Sequence, residues 1–318
     1  MSFYRPDPSS CPDLTGHVVP LSHDIADYPD GIVLPIDKPY RWTSADVIRK
    51  VKFAAIKHFR KKNLKVGHAG TLDPLATGVL LVCIGPACKR AQEFQDHDKE
   101  YVARIRFGAT TPSYDLEKEV DRTFPFEHVT EEAVRAVLPS FLGTQEQIAP
   151  LFSAKSVDGV RAYEMARKLY RGAQKGILDP DFDAAALETL QRSTITIGDI
   201  ELLAFHSGAS AHGVGQNFFD LFSGGKILVR GVSADAQSTA ESTASSRIHV
   251  ADTSELGLPE AVVRIACSKG TYIRAFARDL GEALGTGAHL SGLVRTRTGD
   301  FRLEEALSLE EALALLAE

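Results

Sequence analysis

The chain has little cysteine to work with: four in 318 residues, with no Cys-x-x-Cys pair. That argues against a zinc site and against a disulfide framework, and two of the four sit inside apolar strand-like runs, which suits reduced core thiols. No apolar run approaches the roughly 18 residues needed to span a bilayer, and Met1 to Ser10 shows no basic-then-apolar leader. The expectation is a soluble, cytoplasmic protein with no membrane attachment. Positive charge is also in deficit. With 36 Lys and Arg against 42 Asp and Glu, the formal charge is −6, which argues against a protein coated in basic surface. Neither a Gly-x-x-x-x-Gly-Lys-Ser/Thr loop nor a Gly-x-Gly-x-x-Gly turn after a strand is found, so the usual phosphate-cradling loops are missing.

What is present is an ordinary globular composition, 44% apolar and 25% charged, with room for one large domain or two smaller ones. The charge deficit hides a local asymmetry. From Arg49 to Lys65 the chain carries eight Lys or Arg and no acid, and from Arg264 to Arg302 it carries seven against Asp279, Glu282 and Asp300. Such runs are solvated helix faces or local phosphate contacts.

The string Gly67-His68-Ala69-Gly70-Thr71-Leu72-Asp73-Pro74-Leu75-Ala76-Thr77-Gly78 places one carboxylate in a glycine-punctuated turn before the apolar run Val79 to Ile84. The run reads as a buried strand. Pro74 biases Asp73 toward an extended backbone, and Gly70 and Gly78 allow conformations that a Cβ forbids. Asp73 is thus either a turn residue or a nucleophile held on a loop. Upstream, Gly31 to Pro39 reads as a short strand and a turn, after which Thr43 and Ser44 cap a helix. Downstream, Lys99 to Gly108 alternates apolar and charged residues, as a half-buried strand does, and Glu131 to Phe141 reads as a helix. Val262 to Arg274 reads as strand, glycine turn and helix start, which brings Tyr272 and Arg274 out at the junction.

The first string closely resembles the catalytic motif of TruB-type tRNA pseudouridine synthases. Ser268-Lys269-Gly270-Thr271-Tyr272-Ile273-Arg274 resembles that family's other strong signature, and the segment from Ile148 to Arg167 resembles a third, with Ala149 and Phe152 where Pro and Tyr are more common. The resemblance covers nearly the whole chain from residue 31. It implies an α+β pseudouridine synthase fold, a large mixed, mostly antiparallel sheet flanked by helices, with an active-site cleft across it. It also implies isomerisation of uridine to pseudouridine at position 55 in the T-loop of tRNA. Asp73 is then the catalytic residue, and Arg274 its guanidinium partner. Tyr101 and Tyr272 pack on the base, and His68 sits beside the flipped uridine. Lys38 matches the first motif, and Leu293 forms an apolar wall. Thr111, Ser113 and Asp115 match a family turn. Arg41 stands where the family usually has glycine.

Breaking the N1 to C1′ bond and rejoining uracil through C5 involves no net redox change, so no cofactor and no metal are expected. The target has to leave its stack, which is cheapest in a loop. The expected partner is tRNA, met by a monomer with no obligate protein partner. Other RNA loops such as those of ribosomal RNA, or a non-catalytic tRNA-folding chaperone, are the alternatives. A small-phosphoester hydrolase would need metal-binding carboxylates beside Asp73, and the motif has none.

The domain expectation is an irregular extension at 1–30, a catalytic domain at 31–310 with an insert at about 206–260, and no complete C-terminal PUA-like module. In the insert, 11 of the 15 residues from Val232 to Ser246 are Ser, Thr or Ala, too little apolar surface to offset ordering entropy.

Overall fold

The computed structural model describes residues 20–150, 156–157, 160–161, 192–208 and 248–317. The first 19 residues, most of the segment from 151 to 191 and the middle of the insert, 209–247, lie outside the described residues.

In chain order the elements begin with β1 (Ile32–Lys38), α1 (Ser44–His58), β2 (Val66–Ala69), β3 (Ala76–Ile84), α2 (Ala91–Asp96) and β4 (Lys99–Phe107). They continue with β5 (Ala109–Thr110), β6 (Arg122–Thr123), α3 (Glu131–Val137), β7 (Gly143–Ile148), β8 (Ser156–Val157), β9 (Val160–Arg161) and β10 (Arg192–His206). After the insert come β11 (Glu260–Cys267), α4 (Ile273–Ala283), β12 (Ala288–Thr298), β13 (Phe301–Arg302) and α5 (Leu309–Ala314). Among the described residues the main sheet has nine strands, ordered β1-β3-β12-β4-β11-β10-β7, with β2 on β3 and β13 on β12. β12 runs parallel to β3, while β1/β3, β2/β3, β7/β10 and β10/β11 are antiparallel. The fold is α+β with a mixed sheet, as expected.

Two compact units divide the chain. Among the described residues the first comprises 20–101, 248 and 293–317. Its core gathers Val33, Val79, Leu81, Cys83, Phe94, Val294 and Phe301, with Phe94 and Phe301 edge to face at 6.1 Å. The apolar run of β3 forms a strand buried almost throughout, as a strand covered on both faces must be. α1 begins at a capping box, in which the Thr43 side chain accepts from the Asp46 N–H and Asp46 accepts from the Thr43 N–H. Val47, Val51 and Ala55 recur every four residues and bury one face. Residues 20–30 are tied to the chain end, since Leu21 N–H donates to Leu315 O at 2.9 Å.

Among the described residues the second unit comprises 102–150, 156–157, 160–161, 192–208 and 249–292. β10 pairs with β11 from Ile197↔Cys267 to His206↔Glu260, with two register shifts on the way. α4 buries Ile273, Phe276 and Leu280, and Phe276 meets Phe141 at 5.1 Å. β4 differs from its sequence pattern: it is buried on nearly every residue instead of alternating. Its charges are absorbed internally. Arg106 Nε donates to Glu260 at 2.9 Å and Arg104 Nε to the same carboxylate at 2.7 Å, with Ser291 Oγ adding a third bond at 2.6 Å. Burial alone raises a carboxyl, but here Arg104, Ser291 and Arg106 together hold Glu260 below its ordinary value. In the same strand, Lys99 donates to the carbonyls of Gln95 and His97.

Candidate active site

Asp73 lies half-buried in the turn between β2 and β3, where its carbonyl accepts from Ala76 N–H at 3.1 Å. Buried donors from other elements fasten that turn on both sides of the acid. Ser44, the first residue of α1, exchanges hydrogen bonds with Leu72 through its hydroxyl, accepting at 3.0 Å and donating at 3.1 Å. Lys38, at the end of β1 and fully buried, donates from Nζ to Pro74 O at 3.2 Å, Pro39 O at 2.9 Å and Trp42 O at 2.5 Å. Arg41 N–H donates to the same Pro74 carbonyl at 3.0 Å. Arg295, 2% exposed on β12, bonds Val79 O at 2.8 Å and Gly70 O at 3.1 Å. The peptide groups around Asp73 are therefore spanned by two cations and one hydroxyl.

Gly78 explains why β12 can come so close. Its backbone φ is +99°, and a Cβ there would stand 2.2 Å from Arg295 O, so any side chain forces β3 and β12 apart. The register follows from this contact, with Leu293↔Ala76 and Arg295↔Gly78. Leu293 is thereby set beside the strand that leaves the Asp73 turn. Asp37 completes the frame by accepting from Gly78 N–H at 2.9 Å.

The electrostatics follow from burial. Removal from water pushes the Lys38 ammonium down to about 7, against the pull of Asp73 and Asp37, which favour its charged form. His68, in β2, is lowered by burial first and by Arg295 second, which favours a neutral imidazole. Its Nδ1 has no hydrogen-bond partner among the described residues. Tyr101, in β4, is 8% exposed.

In the second unit, Tyr272 is the N-cap of α4. The side chain of buried Gln147 grips its backbone, accepting from Tyr272 N–H at 2.8 Å and donating to Tyr272 O at 3.1 Å. Arg274, two residues on, is 4% exposed, not a surface residue. It donates to Ser113 O at 3.1 Å and faces Asp115 at 3.8 Å. Asp115 is held in turn by Ser113 Oγ at 2.6 Å and Glu117 N–H at 2.9 Å, and its carbonyl accepts from Thr111 Oγ1 at 2.6 Å. The turn singled out as Thr111, Ser113 and Asp115 is thus the cradle of Arg274.

Lys38, His68, Asp73, Tyr101 and Leu293 fall in the first unit, Tyr272 and Arg274 in the second. The sequence expectation makes Ser44 a helix cap, but Thr43 alone is the N-cap and Ser44 bonds to Leu72 instead; Gln147 and Arg295 are not singled out by it. The one signal available was Arg295, a charge within the strand-like run around Val294. No group of three or more His, Cys, Asp or Glu that could hold a metal ion occurs among the described residues. Nor is any helix among them long and apolar enough to cross a membrane.

Residues 57–175 match the N-terminal domain of TruB family pseudouridylate synthase, and residues 274–318 match the tRNA pseudouridylate synthase B C-terminal domain. The chain is 44% identical over 283 residues to tRNA pseudouridine synthase B of Phocaeicola vulgatus, covering 89% of this chain and 92% of that protein. It is 38% identical over 277 residues to the protein of the same name from Thermus thermophilus, covering 87% and 75%. Among solved structures, the crystal structure of a Cbf5-Nop10-Gar1 complex is similar in fold, with a TM-score of 0.50 and 23% identity over 88% of this chain and 53% of that one. Sheet, motif turn and matches together define an isomerase of the pseudouridine synthase class. Within that class, the chain belongs to the TruB family.

Proposed function

We infer that this enzyme converts uridine to pseudouridine at position 55 in the T-loop of tRNA, with Asp73 as the nucleophile. The observation that carries the reading is the Asp73 turn itself, fastened by Ser44, Lys38 and Arg295 through main-chain carbonyls and one amide. Such pre-positioning is what a loop-borne nucleophile needs. The relatives' shared name, tRNA pseudouridine synthase B, supports the substrate.

The N1–C1′ bond breaks, the uracil turns and the C5–C1′ bond forms; the proton lost from C5 is matched by one gained at N1, so atoms and electrons balance without a cofactor. Tyr101 and Tyr272 are assigned to the flipped base, where each stacking contact offsets about 1–3 kcal/mol of unstacking. Arg274 is assigned to the ionised form of the nucleophile, His68 to the space beside the uridine and Leu293 to an apolar wall. Lys38 is a positioning residue. Each of these roles rests on the resemblance of its motif. The enzyme acts as a monomer on tRNA in the cytoplasm.

The test is nucleoside analysis of an unmodified tRNA transcript incubated without added cofactor, using the native protein and Asp73→Asn. Pseudouridine at position 55 from the native protein and none from the variant is expected. Product from both would remove Asp73 from its role. Tight tRNA binding with no product from either would favour a folding chaperone.

A further inference from the structure

Among the described residues two exposed aromatic side chains, Phe53 and Tyr40, have no use in the proposed reaction. Phe53, in the middle of α1, is 75% exposed, more than any other exposed large hydrophobic residue among those described. Arg49 and Lys57 stand one turn before and one turn after it on the same helical line, and both are exposed. Lys50 and Lys52 flank them, and Lys61 and Lys62 extend the exposed charge into the loop beyond. The one acid within α1, Asp46, is occupied by the capping box and by Arg49 at 2.8 Å. The opposite face of α1 is packed through Val47, Val51 and Ala55, so this face is not part of the core.

We propose that the exposed face of α1 and the loop after it bind RNA backbone outside the loop that carries the target uridine, with Phe53 stacking on an unpaired base. The inference rests on the reading of the chain as a tRNA-modifying enzyme. Charge selects the partner: in a chain of net charge −6, a surface on which Lys and Arg outnumber the one acid of the helix is complementary to a polyanion. A second copy of this chain would set like charges face to face, and one phenyl ring is too little apolar surface to anchor a protein on a lipid bilayer. Exposed aromatic rings among Lys and Arg are how single-stranded nucleic acid is held without sequence readout. Position agrees with this. α1 starts at Ser44, which bonds to Leu72 next to Asp73, and at about 1.5 Å per residue Phe53 lies ~14 Å along the axis from there. A bound RNA has more than one nucleotide within that span, so contact there lengthens the recognised segment instead of duplicating the active site.

The experiment compares whole tRNA transcript with an isolated T-arm hairpin as substrates for the native enzyme, Phe53→Ala, and a variant carrying Lys50→Gln, Lys52→Gln, Lys61→Gln and Lys62→Gln. On whole tRNA, Phe53→Ala is expected to raise KM about fivefold or more while acting little on kcat, the loss of one stacking contact. The four-site variant should lower the slope of log affinity against log salt by about three, at roughly 0.7 per phosphate contact on a single strand. On the hairpin, both variants should match the native enzyme. Unchanged KM and salt slope on whole tRNA would overturn the proposal, as would an equal loss on the hairpin. Loss of binding to anionic lipid vesicles with no change on tRNA would also overturn it. A native enzyme that forms no pseudouridine would sink the functional reading instead, and the salt dependence of tRNA binding would still report on this surface.

Discussion

The turn around Asp73 is fastened by cations that bond to carbonyl oxygens, whereas the junction leading into α4 is fastened by a carboxylate that faces a cation and an amide that grips a backbone. In the first region Lys38 and Arg295 bond to the peptide carbonyls on either side of Asp73, so cations surround the carboxylate assigned above as the nucleophile. In the second, a cation, Arg274, faces a carboxylate, Asp115, at 3.8 Å. The first region sets cations on either side of a carboxylate, and the second sets a carboxylate beside a cation. The difference lies in cost. Among the described residues Lys38 and Arg295 bond to carbonyl oxygens, where Arg106 bonds to the Glu260 carboxylate, so the first region depends more on every bond it makes.

The largest expected effect breaks the first region. Arg295→Met removes two charge-assisted bonds of about 1.5–3 kcal/mol each and leaves the Gly70 and Val79 carbonyls to find water. Burying methionine returns part of that, so a loss near 3 kcal/mol in urea unfolding is expected, with turnover falling by more than the unfolded fraction accounts for. A loss under about 1 kcal/mol would mean that the turn keeps its shape without the cation.

Lys38 sharpens the same point through pH. Its folded value is near 7 against an ordinary 10.5, so between those values the unfolded chain binds a proton that the folded chain does not. Stability from this group therefore rises with pH across that window, by at most about 1.4 kcal/mol per unit, and is flat below 7 and above 10.5. Measured at two pH values two units apart inside the window, native and Lys38→Met stabilities should diverge by about 2–3 kcal/mol, the native protein gaining as pH rises. Parallel pH profiles would show that the ammonium stays charged throughout.

How much of this was legible in the sequence depended on distance along the chain. Asp73, Tyr272 and Arg274 lie within contiguous strings, and α1 announces itself through Thr43, Asp46 and a four-residue apolar spacing. Ser44, Gln147 and Arg295 act across 28, 125 and 225 residues, and no local pattern encodes such pairings. The charged residues of β4 misled for a related reason: Arg106 reads as solvent-facing until Glu260 is brought beside it, and a paired charge can be buried where a lone one cannot.

The second region should give a smaller effect. Gln147→Ala leaves one N–H and one C=O of Tyr272 without the clamp, at about 1–2 kcal/mol in stability. If the clamp sets where the tyrosine meets the base, KM for tRNA rises about tenfold, by analogy with one lost stacking contact, and kcat changes less. Gln147→Glu keeps the acceptor and loses the donor, so its KM should fall between the two. A KM unmoved by either variant would reduce Gln147 to a core residue.

The smallest effect is expected at Arg41, where the comparison with the family's usual glycine becomes physical. Arg41 has φ +61°, a left-handed backbone, and such a conformation costs a non-glycine residue about 1–2 kcal/mol. The geometry that a glycine would adopt freely is therefore kept, and the N–H that bonds to Pro74 is kept with it. What arginine adds is a bond from its guanidinium to Ile248 O at 2.8 Å, together with a less flexible unfolded chain. Arg41→Gly relieves the strain and loses both additions, which should leave stability within about 1 kcal/mol of the native protein and turnover nearly intact. Arg41→Val makes the opposite change: a β-branched residue suits φ near +60° worse than arginine does, so the turn can only relax by releasing Pro74. Its turnover should drop well below that of Arg41→Gly. Equal turnover in the two variants would mean that the Asp73 turn does not depend on this peptide, leaving Ser44, Lys38 and Arg295 to hold it by themselves.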